Sequence, residues 1–156
     1  MKIYSLEELQ QLESSTELHE FMLHYNWDDG VEVPRVVINN KNCDSGTALM
    51  VYWFAGPGNF YQYETPNEAS RNYEIALYDL IQEIEQKYLG GFYQSNRILF
   101  NPRYDNHQGG YDHTQTYDDF PQKRKIPDEM MEPNIPDLKW EAMGKPIKAV
   151  QKINYE

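Results

Sequence analysis

YNWDDGVEVPRVVINNKNCDSGTALMVYWFAG, running from Tyr25 to Gly56, is the stretch of this sequence that decides the fold. Its centre, Thr47 to Ala55, is apolar on almost every side, and an element of this kind must be covered by its neighbours. The run is too short to span a membrane, which needs about 20 residues. Asp44 offers an N-cap carboxylate, and Gly56 ends the run. The pattern predicts a short buried helix over residues 44–55, with the other helices packed around it.

Capping signals predict further helices before this one. Ser5 with Glu8, and Ser14 with Glu17, have the spacing of capping boxes and open two short helices. Pro34 suits the first turn of a third helix, where its missing N–H costs nothing. Short helices joined by tight turns favour αα-hairpins stacked side by side.

A long amphipathic helix is predicted after a loop over residues 56–64. Thr65 to Glu68 supplies its start signal, with an N-cap, Pro at N1 and Glu at N3, and Gly90 closes it. Its apolar face is predicted to contain Ala69, Tyr73, Ala76, Leu77, Leu80, Ile81, Ile84 and Tyr88.

Beyond Phe92 the sequence becomes rich in proline, glycine and tyrosine. A long segment with little regular structure is either mobile or wrapped over the helices, and its many aromatic residues favour an ordered wrap. The predicted fold is therefore all-α, with about five helices packed as αα-hairpins around the buried helix. Residues 1–91 form the helical domain, and residues 92–156 are an irregular extension packed on the same domain.

Composition narrows the classes of function. The chain has 156 residues, enough for one domain with a proper core. Its 14 basic and 25 acidic side chains give a net charge of −11, and residues 1–100 hold 6 and 15 of them, or −9. This sign argues against nucleic acid and anionic membranes as partners and favours a basic protein.

Cysteine content and the N-terminal residues indicate where the protein works. One cysteine, Cys43, excludes an internal disulfide framework and fits a reducing compartment. The first residues pass directly into a polar helix, with no apolar core of a signal peptide, and no run is long enough to span a membrane. We expect a cytoplasmic protein. The sequence leaves its oligomeric state open.

Three parts of the sequence are candidates for a metal site or a catalytic site. The loop from His107 to Asp119 could bind a metal, but its spacing matches no known ligand pattern. Asp28, Asp29 and Asp44 could share a proton or hold a cation, yet each has a turn or capping role. Cys43 has no basic neighbour in the sequence that would activate its thiol. No metal, cofactor or catalytic residue is predicted.

The acidic surface with its aromatic residues is a further candidate. Aromatic anchors ringed by acidic residues are a plausible face for binding a protein. The predicted partner-binding residues, with the tyrosines expected to be exposed, are Tyr61, Tyr63, Asp28, Asp29, Tyr111 and Tyr117.

Two motifs carry a resemblance to a known family. N-W-D-D-G at residues 26–30 and C-D-S-G-T-A-L at residues 43–49, with Leu18, His19 and Pro34, resemble a small bacterial family catalogued as domain of unknown function 4274. The resemblance covers roughly residues 17–55 and implies no reaction, because the family has no assigned activity.

The leading prediction is a non-enzymatic protein-binding module, of the type suspected as immunity proteins that mask a basic toxin. A helical scaffold or adaptor is the second reading. A metal-dependent enzyme that uses the 107–119 loop is the third.

Overall fold

Six α-helices make up the regular structure of the described residues. The computed structural model describes residues 2–69 and 71–135, and no β-strand occurs in these two ranges, only isolated bridges. The helices are α1 (Leu6–Gln11), α2 (Ser15–Leu23), α3 (Glu32–Asn39), α4 (Ser45–Ala55), α5 (Pro57–Phe60) and α6 (Asn72–Leu89). The all-α prediction is confirmed.

Helix α4 is the buried centre of the fold, as its apolar run predicts. Leu49, Val51 and Tyr52 are fully buried, and the helix packs against α2, α3 and α6. The Asp44 side chain caps its N-terminus by accepting a hydrogen bond of 2.8 Å from the Gly46 N–H. Gly56, in the left-handed conformation with φ 89°, ends it.

The helices before α4 begin where the capping signals place them. Ser5 and Glu8 form the capping box of α1, and Ser14 accepts the Glu17 N–H at the start of α2. Asn40, after α3, donates its side-chain amide to the carbonyl oxygens of Leu9 and Leu12 at 2.8 and 2.9 Å. This contact ties the end of α3 to the end of α1.

The start of the long helix was predicted wrongly. The Glu68 carboxylate accepts hydrogen bonds from the N–H groups of Glu64 and Thr65, but this box caps only a 3-10 turn over Pro66–Glu68. The backbone is extended at Ala69 and again at Arg71, so α6 begins at Asn72. The loop predicted over residues 56–64 also contains a short helix, α5.

The buried face of α6 agrees with the predicted apolar face except at two tyrosines. Leu77, Leu80, Ile81 and Ile84 are buried as expected. Tyr73 is 51 % exposed, whereas Tyr78, which the prediction omitted, is fully buried. The reason is the late start of the helix, which leaves Tyr73 in its first turn.

The segment after α6 lies over the helices as far as the structure describes it. Three 3-10 turns, Asn106–Gln108, His113–Asp118 and Asp128–Met131, are its only helical elements within residues 92–135. Its buried side chains include Ile98, Leu99, Phe100, Ile126 and Met130. The rest of the predicted extension, residues 136–156, lies outside the described residues.

Asp44 also fastens this segment to the start of α4. Its fully buried carboxylate accepts hydrogen bonds from the Ser95 hydroxyl at 2.6 Å and from the N–H groups of Arg97 and Ile98 at 2.7 and 3.2 Å. The contact is close, because a Cβ on Gly46 would lie 1.8 Å from the Ile98 carbonyl oxygen. The Asp44 carboxylate therefore caps α4 and also holds residues 95–98 against the start of this helix.

Within the described residues, no helix combines the length and apolarity that a membrane crossing requires.

Candidate functional site

A cleft of about 400 Å³ lies where three distant segments meet. Its walls come from the end of α2 and the turn that follows, from the last turns of α4, and from the loop after residue 104. The lining residues are Leu23, Tyr25, Trp27, Trp53, Phe54, Gln108 and His113. None is a lysine or an arginine.

The aromatic residues that line the cleft differ in whether their polar atoms have a hydrogen-bond partner. Tyr25 and Trp27 meet edge to face at 5.6 Å, and the Tyr25 hydroxyl donates to the Gly30 carbonyl at 2.7 Å. The Trp53 indole N–H donates to the Met130 carbonyl at 2.8 Å. The Trp27 indole N–H is buried and has no hydrogen-bond partner in the described part of the chain. Of the two tryptophans that line the cleft, Trp27 is therefore the one whose indole N–H is unused.

His113 is held beside the cleft by a buried carboxylate and by neighbouring rings. Its Nε2 lies 2.9 Å from Asp105 Oδ2, and both residues are buried. Phe54, Phe100 and Tyr111 surround the imidazole at ring-centre distances of 5.7, 5.8 and 4.9 Å. The imidazole is thus fixed in position by packing as well as by hydrogen bonding.

The turn beside the aromatic walls carries negative charge. The Asn26 side chain accepts the Asp28 N–H at 3.1 Å and opens a 3-10 turn over Trp27–Asp29, in which Asp28 and Asp29 are exposed. The pKa of the Tyr25 hydroxyl is raised, first by burial and then by the nearby charges of Asp29 and Glu32. The acidic turn, residues 26–30, thus places its negative field at the edge of the cleft.

His19 is a second buried histidine near the same loop. Its Nδ1 lies 2.9 Å from the Thr47 hydroxyl of α4. Burial, with a smaller contribution from His107 and against the opposing effect of Asp105, lowers its pKa to about 4. The imidazole is therefore neutral at pH 7.

The predicted partner-binding residues are not all where the sequence suggested. Asp28 and Asp29 are exposed on the acidic turn, and Tyr111, 44 % exposed, packs against His113. Tyr63 is half-buried. Tyr117 lies in the 3-10 turn His113–Asp118, but its side chain is outside the described part of the structure.

The expected exposure of Tyr61 is wrong. Its side chain is fully buried, and its hydroxyl donates to Glu85 Oε2 at 2.6 Å, where the Tyr52 hydroxyl also donates at 2.9 Å. The Arg124 guanidinium covers its ring. Glu85 lies on α6, 24 positions further along the chain, so no local pattern in the sequence indicates a buried partner for Tyr61.

The candidates for metal binding and nucleophilic catalysis are separated in the fold. In residues 2–69 and 71–135, no group of three or more His, Cys, Asp or Glu side chains is placed to hold a metal ion together. Within the 107–119 loop, His107 is exposed, while His113 turns inward to Asp105. Cys43 is buried, and burial together with Asp44 raises the pKa of its thiol.

The sequence indicates some residues of the cleft but not the cleft itself. Trp27 belongs to the N-W-D-D-G motif and His113 to the 107–119 loop, whereas Asp105 lies outside that loop and Trp53 is predicted only as part of the buried helix. No local pattern signals that side chains 60 to 90 positions apart, such as Trp27 and His113, line the same cleft.

Comparison with known proteins gives one match. No curated protein and no solved structure matches the chain. A family model does match, over residues 13–89, which include five of the seven residues that line the cleft. Over this segment the chain matches the family described as Domain of unknown function (DUF4274), the family that its motifs resemble.

Proposed function

We propose that the protein is a non-enzymatic binding module for a basic protein partner. One observation carries the proposal. Two exposed carboxylates, those of Asp28 and Asp29, directly follow Trp27, which forms a wall of an aromatic cleft.

The combination has the chemistry of a binding hot spot. Binding energy at interfaces is concentrated in aromatic anchors and the pockets that surround them, whereas charged rims govern encounter and specificity. A net charge of −11 adds a long-range attraction for a basic partner. The cleft supplies the anchor site, and the acidic turn supplies the rim.

A binding role also agrees with how the reactive groups are arranged. His113 is packed among rings and engaged with Asp105, and the Cys43 thiol is buried. A catalytic thiolate needs an accessible, electropositive site. We assign the Asp105–His113 pair to shaping the cleft, and the buried reduced thiol fits the cytoplasm.

The finer form of the proposal is an immunity protein, which masks the basic surface of a toxin. The acidity and the cleft support it. We expect co-expression with the product of a neighbouring toxin reading frame to restore growth of the host. The double variant Asp28→Asn/Asp29→Asn should restore it less well, whereas Asp79→Asn, which changes an exposed carboxylate on α6, should behave as the wild type. Rescue that is equal for all three proteins would contradict a role for the acidic turn.

Site-specific photo-crosslinking tests the binding module itself. A benzophenone amino acid replaces Tyr111 beside the cleft or, as the control, Tyr73 on α6. The two positions are similarly exposed, at 44 and 51 %. We expect a discrete protein adduct from position 111 and none from position 73. The helical-scaffold alternative predicts no such preference, and equal adducts from both positions would contradict the proposal.

A further inference from the structure

The cleft and the acidic turn together have the chemistry of a receptor for a cation. The faces of aromatic rings attract cations, and tryptophan does so most strongly. Four of the lining residues, Tyr25, Trp27, Trp53 and Phe54, carry such rings, and the lining contains no cationic lysine or arginine. The carboxylates of the acidic turn lie next to Trp27 in the chain.

We propose that this cleft receives the side chain of one arginine of the partner, an inference that rests on the proposed function. Arginine is favoured over lysine by geometry. A guanidinium is planar, so it stacks on aromatic faces while its edge donates paired hydrogen bonds to carboxylates. Asp28 and Asp29 are exposed and free of ion pairs in the described part of the chain, so no cation of the chain competes for their oxygens.

A second observation points to an arginine within a polypeptide chain. The Trp27 indole N–H is buried without an acceptor in the described part of the chain, and a guanidinium cannot supply one because it only donates. A main-chain carbonyl beside the arginine supplies an acceptor once the indole turns toward the bound segment. The exposed Gln108 amide, which also lines the cleft, offers donors and an acceptor to the same main chain.

A matched pair of peptides tests the inference on the full chain. The probes are a capped Gly-Arg-Gly peptide and the same peptide with citrulline, which keeps the shape of the side chain but carries no charge. Binding is followed through the indole N–H resonances of the protein by NMR. We expect the arginine peptide to shift the Trp27 resonance saturably, with an affinity about 10-fold higher than that of the citrulline peptide.

Two variants and one control locate the effect. Asp28→Asn with Asp29→Asn should weaken binding of the arginine peptide several-fold, and Asp79→Asn should leave it unchanged. Trp27→Phe keeps a ring but removes the N–H, and it should also weaken binding, which is then followed through the Trp53 resonance at the same cleft. Equal affinity for the two peptides, equal behaviour of the Asp28/Asp29 and Asp79 variants, or no shift at tens of millimolar peptide would each overturn the inference.

Failure here is distinguishable from failure of the proposed function. If the peptides do not bind while position 111 still crosslinks to a protein, the module binds its partner without an arginine in the cleft. If the arginine peptide binds but position 111 gives no adduct, the cleft is a cation receptor and the proposed protein-binding role is wrong.

Discussion

Asp44 shows how one residue can hold more of the structure than its local signal suggests. The sequence identifies it as an N-cap, which is worth about 1 kcal/mol. In the fold its buried carboxylate accepts four hydrogen bonds, one from Gly46 and three from residues 95–98. Removing it therefore leaves several donors without an acceptor, in addition to an uncapped helix.

We expect Asp44→Ala to lower the free energy of unfolding by about 3–5 kcal/mol, because hydrogen bonds to a charged group are each worth about 1.5–3 kcal/mol and a buried donor without a partner is costly. Ser14→Ala is the matched control, since Ser14 caps α2 through a single hydrogen bond. It should cost about 1 kcal/mol. Denaturant titrations check both variants, and equal losses would show that Asp44 acts only as a cap.

His19 gives the stability of the fold a defined pH dependence. Its pKa is about 4 in the folded chain and about 6.5 when the chain is unfolded. Below pH 6.5 the unfolded state takes up the proton first. The stability that the fold gains from a neutral His19 is therefore complete above pH 6.5 and is lost as the pH falls toward 4. A pKa shift of this size corresponds to about 3 kcal/mol of unfolding free energy.

The matched variant is His19→Gln, which does not titrate. From pH 7 to pH 4 the unfolding free energy of the wild type should fall by about 3 kcal/mol more than that of the variant. Urea titrations at each pH measure both values. Parallel pH profiles for the two proteins would mean that His19 is accessible to protons in the folded state.

At the scale of elements, the sequence predicts helices best where the signal is local. The apolar run of α4 and the caps at Ser5 and Ser14 place three helices correctly. The box at Thr65 fails because the same hydrogen bonds also close a single 3-10 turn, and the extended backbone at Ala69 follows it. Local capping signals therefore mark a turn reliably but not its continuation into a helix.

The contact between the start of α4 and residues 95–98 depends on Gly46. A Cβ there would lie 1.8 Å from the Ile98 carbonyl oxygen, so Gly46→Ala must displace backbone. We expect a loss of about 3 kcal/mol, although alanine is the better helix former. Gln86→Ala, at an exposed position of α6, is the control and should change stability little. A Gly46→Ala variant as stable as the control would mean that the segment does not lie on this helix.

At the scale of the whole molecule, the cleft exists only because the chain folds back on itself. Trp27, Trp53 and His113 belong to three segments. The sequence indicates the chemistry of each side chain but not that the three lie close together. The burial of Tyr61 was missed for the same reason, since Glu85 and Arg124 come from distant parts of the chain. Charge is the whole-molecule property that the sequence does predict directly.

The rate of association with a purified partner tests the central claim most directly. Stopped-flow measurements from low to high ionic strength compare the wild type with Asp28→Asn/Asp29→Asn. Opposite potentials accelerate encounter and are screened by salt, so the wild-type rate constant should fall about 10-fold or more across the range. The double variant should start lower and fall less. A wild-type rate that is flat with salt, or two identical curves, would contradict a basic partner at the acidic turn.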